Sequence, residues 1–227
     1  SDVYKRQVQK EFPGEEYELA HLSAKFQSFA KPDAADGQLL AMLVKAAVEL
    51  TTQEAPRWEI IAARLLMVQF DRALAERLAA RHIETFAQKV AFLTEEGLYG
   101  DYILQHYTPA ELDEAAGFID LSRNDLFTYA GLQLLLDRYV IRTHQGAPLE
   151  SPQEMFLGIA LHLAMEERAS ERMGWVRRFY DMLSTLKVTM ATPTLSNARK
   201  PFHQLSSCFI DTVPDSLDGI YLSLIHI

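Results

Sequence analysis

Cysteine is nearly missing from this sequence: Cys208 is the one thiol in 227 residues. That excludes an internal disulfide framework and points to a reducing compartment. Long apolar runs are missing too. No stretch approaches the roughly 18–20 residues that a membrane span requires, and no secretory leader is visible. Basic charge is scarce, with 22 Lys and Arg against 31 Asp and Glu and a net charge of −9. This balance argues against a nucleic-acid-binding surface spread over the chain, while leaving room for a local phosphate pocket. Glycine-rich phosphate loops, internal repeats, low-complexity tracts and His/Cys/Glu groupings with metal-ligand spacing are all absent, so no metal site is expected. What remains is 48% hydrophobic, enough to bury a core in one or two domains. The expectation is a soluble cytoplasmic chain with neither membrane nor nucleic acid as a partner.

The two ends read as foreign to the rest. Asp2–Gln7 back-translates as GAT GTG TAT AAG AGA CAG, whose reverse complement reads Leu-Ser-Leu-Ile-His-Ile, residues 222–227. Opposite ends of a natural gene have no reason to be complementary, and the sequence is similar to the end of a transposon used in sequencing libraries. Residues 1–7 and 222–227 are therefore expected to be non-native scars, the natural polypeptide being cut on both sides.

Between the ends the signal is mainly helical. Apolar residues at helical spacing predict helices over Glu15–Phe29 and Gln38–Leu50, and a third from Ala55–Pro56 to about Ala80. Another covers Ile83–Leu93, ended by Gly97 with Gly100. Thr108-Pro-Ala-Glu111 and Ser151-Pro-Gln-Glu154 read as capping boxes, with a hydroxyl at the cap, proline first and a carboxylate third. Arg138–Arg142 and Ala147–Leu149 flank a His144–Gly146 turn and suggest a small hairpin. Phe127, Tyr129, Phe156, Phe179 and Tyr180 are most simply core aromatics, and His162 a hydrogen-bonded histidine.

After Leu186 the pattern breaks into Thr, Pro, Ser and Asn, then closes on Leu205–Ile210, which reads as a buried strand carrying Cys208. On the residues alone, a lone cysteine there is most simply a small buried hydrophobe. Four separated pieces change that weighting: Ala191-Thr-Pro-Thr194, Ser196-Asn197, Gln204-Leu-Ser-Ser-Cys208 and Asp215-Ser-Leu-Asp218. In this order they resemble the start of the catalytic barrel in the large (alpha) subunit of ribonucleotide reductase. Asp125–Tyr129, Tyr139, Gln153–Phe156 and Arg178–Asp181 are similar to its helical amino-terminal domain. Val44–Ala47, Ala55–Pro56 and Ala62–Leu65 resemble the second half of an ATP-cone, the small domain through which ATP and dATP set activity.

The resemblance implies a truncated or degenerate ATP-cone over 8–82, a helical domain over 83–187, and over 188–221 the first strand of a ten-stranded α/β barrel. It implies a ribonucleoside-diphosphate reductase that works by thiyl-radical chemistry with a redox cysteine pair. Cys208 is then the catalytic thiol near the 2′ carbon, and Thr192 and Ser207 contact substrate. Asp215, Ser216 and Leu217 fall at the site where a deoxynucleotide effector selects the base to be reduced, and Asp215 also reads as an N-cap. Arg72 falls where the ATP-cone has a cationic contact, with a solvated surface arginine as the simpler reading. Asp36 stands in place of the family's threonine and would repel a triphosphate. Implied partners are nucleotide effectors, a radical-generating beta subunit that carries a metal, thioredoxin or glutaredoxin, and a second copy in a homodimer. The chain binds no cofactor of its own in this reading, and alone it is expected to be inactive. A cobalamin-dependent reductase and a non-catalytic helical nucleotide-sensing module are the alternatives.

Overall fold

The computed structural model describes residues 11–30, 35–210 and 212–225. Residues 1–7, 226 and 227 of the proposed scars lie outside these, as does the Asp36 side chain. Helix α1 (Leu19–Gln27) follows a 3-10 turn at Glu15–Tyr17, and α2 covers Asp36–Glu49. Helix α3 (Trp58–Ala79) is 22 residues long and starts just past the turn that holds Ala55 and Pro56. Next come α4 (Phe86–Glu95), α5 (Tyr102–His106), α6 (Pro109–Ala116) and α7 (Tyr129–Leu134), which runs on into a π turn at Leu135–Tyr139. Then follow α8 (Pro152–Ala164), α9 (Ala169–Ser184), α10 (Thr192–Asn197) and α11 (Leu217–Ile225).

Local hydrogen bonds fix several helix starts. Both predicted capping boxes form: Thr108 Oγ1 accepts the Glu111 N–H at 3.3 Å while Glu111 accepts the Thr108 N–H at 2.8 Å. Ser151 and Glu154 make the same exchange at 3.3 and 2.7 Å. A third box, Thr85 with Gln88, starts α4 three residues later than the periodicity suggests. At its far end Gly97, at φ +67, turns the chain away as a side chain could not without strain.

The architecture is helix on helix. α8 is apolar on nearly every face, and such a helix belongs in the middle. Met155, Leu157, Ile159, Ala160, Leu161 and Ala164 are all fully buried there. Phe127, Phe156 and Tyr180 join this core, while Tyr129 and Phe179 are only partly buried. A second cluster gathers Tyr17, Leu22, Ala46, Ala47, Trp58 and Ile61. α3 serves both, giving Trp58, Ile61 and Ala62 to one and Ala63, Met67, Phe70 and Leu74 to the other.

Two strand predictions fail. The hairpin is reduced to one antiparallel bridge, Arg142 with Pro148, because the π turn takes up its first limb through Tyr139. The predicted strand over Leu205–Ile210, the expected start of the barrel, is not formed, and the described residues contain no β-strand. A strand exists only through a ladder to a neighbour, and no described segment offers one. Leu205 is half-buried, while Cys208, Phe209 and Ile210 are exposed.

One polar knot ties distant parts of the helical core together. Arg199 and Glu150 are both fully buried and form an ion pair, with Arg199 Nε 3.0 and 3.1 Å from the two carboxylate oxygens and Nη2 also in contact. Two further guanidinium protons go to the Leu195 carbonyl (2.9 Å) and the Tyr139 carbonyl (2.8 Å). Glu150 also accepts from the Tyr99 hydroxyl at 2.8 Å and the Ile141 N–H at 2.9 Å. Burial and the Glu150 charge push the Tyr99 hydroxyl well above its usual range, so it remains a donor. The Arg199 backbone sits at φ +99, a conformation costing a non-glycine residue about 1–3 kcal/mol. It is held from both sides: its N–H donates to the Tyr102 hydroxyl at 2.9 Å, and its carbonyl accepts the Gly100 N–H at 2.8 Å.

Around Tyr102 the knot acquires two histidines. The Tyr102 hydroxyl donates to the Lys200 carbonyl at 3.1 Å and lies 3.1 Å from His162 Nδ1. With that proton used, His162 is the donor and its Nδ1 carries hydrogen. The exposed His203 ring packs on Tyr102 at 4.5 Å. Burial, then the neighbouring His203, push the His162 pKa down to about 4.

Two predictions follow from the knot's packing and charge. A Cβ at Gly158 would lie 2.7 Å from Arg199 Cδ and 2.9 Å from the Tyr99 hydroxyl. Helix propensity favours alanine by about 1 kcal/mol, but neither neighbour is free to yield, and overpacking costs about 1–3 kcal/mol. Gly158→Ala is therefore expected to lower stability in denaturant melts. The His162 pKa is depressed, so its stabilisation is complete above the unfolded value of 6.5 and is lost as pH falls towards about 4. Thermal melts should show the unaltered chain losing more stability across that window than His162→Gln, by at most about 3 kcal/mol.

Candidate functional site

The knot ends at Arg199, and the candidate residues lie on either side of it. Upstream, Thr192 opens α10, with Pro193 in the first turn, where its missing N–H has no partner to lose. Thr192 is exposed, yet its Oγ1 lies 3.1 Å from the hydroxyl of the buried Tyr139. Downstream, the chain leaves Lys200 and runs through Pro201 to Cys208 without regular structure.

Side chains of α10 tether that open segment. Asn197 Nδ2 donates to the Gln204 carbonyl at 2.9 Å, and Thr194 Oγ1 to the Leu205 carbonyl at 3.5 Å. The Gln204 side chain in turn accepts the Ser206 N–H. Two motif pieces, Ser196-Asn197 and Gln204–Cys208, are thus brought together by contacts between them. Asn197 and Gln204 earn their place by shaping the segment. Ser207 and Cys208 are exposed, and Ser207 Oγ donates weakly to Cys208 Sγ at 3.9 Å. The thiol expected inside a strand lies at the surface.

At the specificity candidates the cap is displaced by one residue. Ser216, rather than Asp215, caps α11: its Oγ accepts the Gly219 N–H at 3.0 Å. Asp215 is exposed, as is Leu217 at the helix start. Arg72 is exposed on α3, far along it from the Trp58 cluster. One cleft among the described residues, about 470 Å³, lies between α1, α2, α3 and the 121–126 turn, lined by Leu22, Phe26, Leu65, Met67, Asp71 and Asp125 among others. Neither Arg72 nor Cys208 is part of its wall, so its size alone does not make it the site. A second cleft of about 430 Å³ does reach the candidates, with Tyr139, Thr192, Met190 and Leu195 in its wall.

The other resemblance-bearing residues build the fold. Thr128 caps α7 by accepting the Gly131 N–H at 3.2 Å. Tyr180 donates to Gln153 Oε1 at 2.8 Å and accepts the Asp120 N–H at 2.9 Å. Asp181 pairs with Arg123 at 2.7 Å. Sequence reading passed over Arg199, Glu150, Tyr99 and Tyr102. The available signal was a charge in each of two otherwise uncharged stretches, Ala147–Pro152 and Thr192–Ala198 with its successor Arg199. Among the described residues no group of three His, Cys, Asp or Glu side chains is placed to hold a metal ion, and no helix is long and apolar enough to cross a membrane.

Comparison with known proteins bears on the same stretch. Residues 125–203 match the family model described as ribonucleotide reductase, all-alpha domain. The chain is 59% identical over 219 residues to the ribonucleoside-diphosphate reductase subunit alpha of Treponema pallidum, covering 96% of this chain and 26% of that protein. It is 33% identical over 180 residues to the Helicobacter pylori (strain 26695) protein of the same name, covering 79% and 22%. With the Escherichia coli K12 ribonucleoside-diphosphate reductase 1 subunit alpha it shares 31% over 179 residues, covering 78% and 23%. The chain thus spans about a quarter of the length of these relatives. Over that span, helical core and tethered cysteine segment together, it belongs to the ribonucleotide reductase large-subunit family.

Proposed function

We propose that the chain forms the amino-terminal part of a class I ribonucleoside-diphosphate reductase and contributes one thiol and two substrate contacts to the reduction site. The reaction replaces the 2′ hydroxyl of a ribonucleotide by hydrogen. The hydroxyl leaves as water, and two thiols give up two electrons and two protons to become a disulfide. Cys208 is one of that pair in this reading. The second thiol and the radical-bearing cysteine come from the other three quarters of the polypeptide, and the radical comes from a separate metal-bearing subunit. The observation that carries the reading is the exposed, unpaired Cys208 on a segment tied to α10, next to Ser207 and downstream of Thr192. A thiol sealed in hydrocarbon could neither reach a sugar nor be re-reduced.

Thr192 and Ser207 hydroxyls meet substrate oxygens, where bonds to charged acceptors are stronger than neutral ones. Asp215, Ser216 and Leu217 form part of the effector site, with exposed backbone N–H groups at the start of α11 and the Asp215 carboxylate for a ribose hydroxyl. In this reading a second copy completes that site in a homodimer, and thioredoxin or glutaredoxin re-reduces the disulfide. The helices within 8–82 are an ATP-cone-like region, truncated or degenerate, with Arg72 as its surface cation towards ATP or dATP. The relatives' shared name, subunit alpha of a diphosphate reductase, supports the two-subunit form over a cobalamin-dependent enzyme.

Two measurements on the complete subunit test this. Cys208→Ser should abolish multiple-turnover reduction by dithiols while leaving nucleotide binding largely intact, and normal turnover would remove the redox role. Asp215→Ala should blur the effector's choice of substrate. Because Ser216 is the cap, that change should leave α11 and thermal stability nearly untouched. Effector-dependent preferences that stay unchanged would take Asp215 out of the site.

A further inference from the structure

Tyr139 is the point where the buried knot meets the candidate site. Its carbonyl accepts from Arg199 Nη2 at 2.8 Å, and its hydroxyl lies 3.1 Å from Thr192 Oγ1. Tyr139 itself is only 6% exposed. The two side chains share a cleft of about 430 Å³ whose other walls include Phe127, Leu135, Met190 and Leu195. Hydrogen bonds count for more where apolar walls exclude water.

The direction of this bond has a chemical consequence. Each hydroxyl carries one proton and can accept from others. The phenol is the stronger acid of the two, so it is the better donor. If Tyr139 donates, the threonine oxygen is fixed through a lone pair and its own proton is left over. If Thr192 donated, its proton would be consumed inside the protein and could not serve a ligand.

We infer that Tyr139 is a positioning residue whose hydroxyl donates to Thr192, orients it, and leaves the threonine proton free for an oxygen of a bound ribonucleoside diphosphate. This rests on Thr192 being a substrate contact, as proposed above. It extends that reading to a residue 53 positions away in sequence and joins it, through the Tyr139 carbonyl, to Arg199 and Glu150. Tyr139 touches no substrate in this scheme and acts through Thr192 alone.

The test is steady-state kinetics of the complete large subunit, assayed with its radical-generating subunit, a dithiol reductant and a ribonucleoside diphosphate. Tyr139→Phe removes the phenol proton and keeps the ring. It should raise KM about three- to tenfold, as expected for one lost hydrogen bond, with a much smaller change in kcat and a near-normal Tm. Thr192→Val should raise KM at least as much, and the double variant should be no worse than Thr192→Val, since both changes remove one interaction. Tyr107→Phe serves as a control, because the buried Tyr107 hydroxyl donates to the Leu161 carbonyl at 2.7 Å. It should lower Tm and leave KM alone. If Thr192→Val leaves KM unchanged, the substrate reading of Thr192 fails and the inference falls with it. If Thr192→Val raises KM while Tyr139→Phe behaves like the Tyr107 control, or if the two effects add, the inference alone is overturned.

Discussion

A guanidinium and a carboxylate without contact with water hold this molecule's working end in place. Removing either charge from water is costly, and only near-complete hydrogen bonding of both offsets that cost. Arg199 and Glu150 meet the condition by sharing protons and oxygens with Tyr99, Leu195, Tyr139 and Ile141. Because a buried charge left alone is worse than no charge, the pair permits few alternative arrangements. The stretch after Leu149, the π turn at Tyr139 and the end of α10 must all converge on one point.

The unusual backbone at Arg199 follows from that convergence. With its side chain clamped to Glu150 and its N–H and carbonyl held by Tyr102 and Gly100, the residue has little freedom left to relax φ. The chain therefore exits α10 in a set direction, and Asn197 and Thr194 then steer the segment that ends in Cys208. Gly158 is the packing counterpart, since the absence of a side chain on α8 makes room for both the arginine and the tyrosine.

What could be read from the sequence divides along the range of the interaction. The Thr108 and Ser151 boxes were legible because cap and carboxylate lie three residues apart and answer only to each other. The Thr85 box had the same local logic, but apolar periodicity beginning at Ile83 masked it. Helical content was legible because apolar spacing is repeated over many residues. The strand over Leu205–Ile210 was misjudged because short apolar runs acquire strand structure only from a partner, and no described segment provides one. Capping at Asp215 was a one-residue error between two competent side chains. Arg199 and Glu150 are separated by 49 residues, and no periodicity in the sequence links them. The family motif, in contrast, marked Thr192, Asn197, Gln204 and Cys208 together; Gln204 is held to α10 by Asn197, a contact that only the hydrogen bonds reveal, and Cys208 follows four residues on.

The restraint on the two kinds of candidate group is unequal, and the proposed chemistry gives a reason. Thr192 sits on a helix whose far end is locked by the buried pair, and its hydroxyl has a partner in Tyr139. A group that recognises an anionic oxygen gains from being set in advance, because little has to reorganise when the ligand arrives. Cys208 has a different task under this reading. Its sulfur must face a sugar in one step and form a disulfide in the next, then meet an external reductant before the cycle can repeat. Those partners approach from different sides, so a thiol fixed as rigidly as Thr192 would serve one of them and fail the others. Tethering at Gln204 and Leu205, four and three residues short of the sulfur, keeps the segment near α10 while leaving the thiol itself accessible.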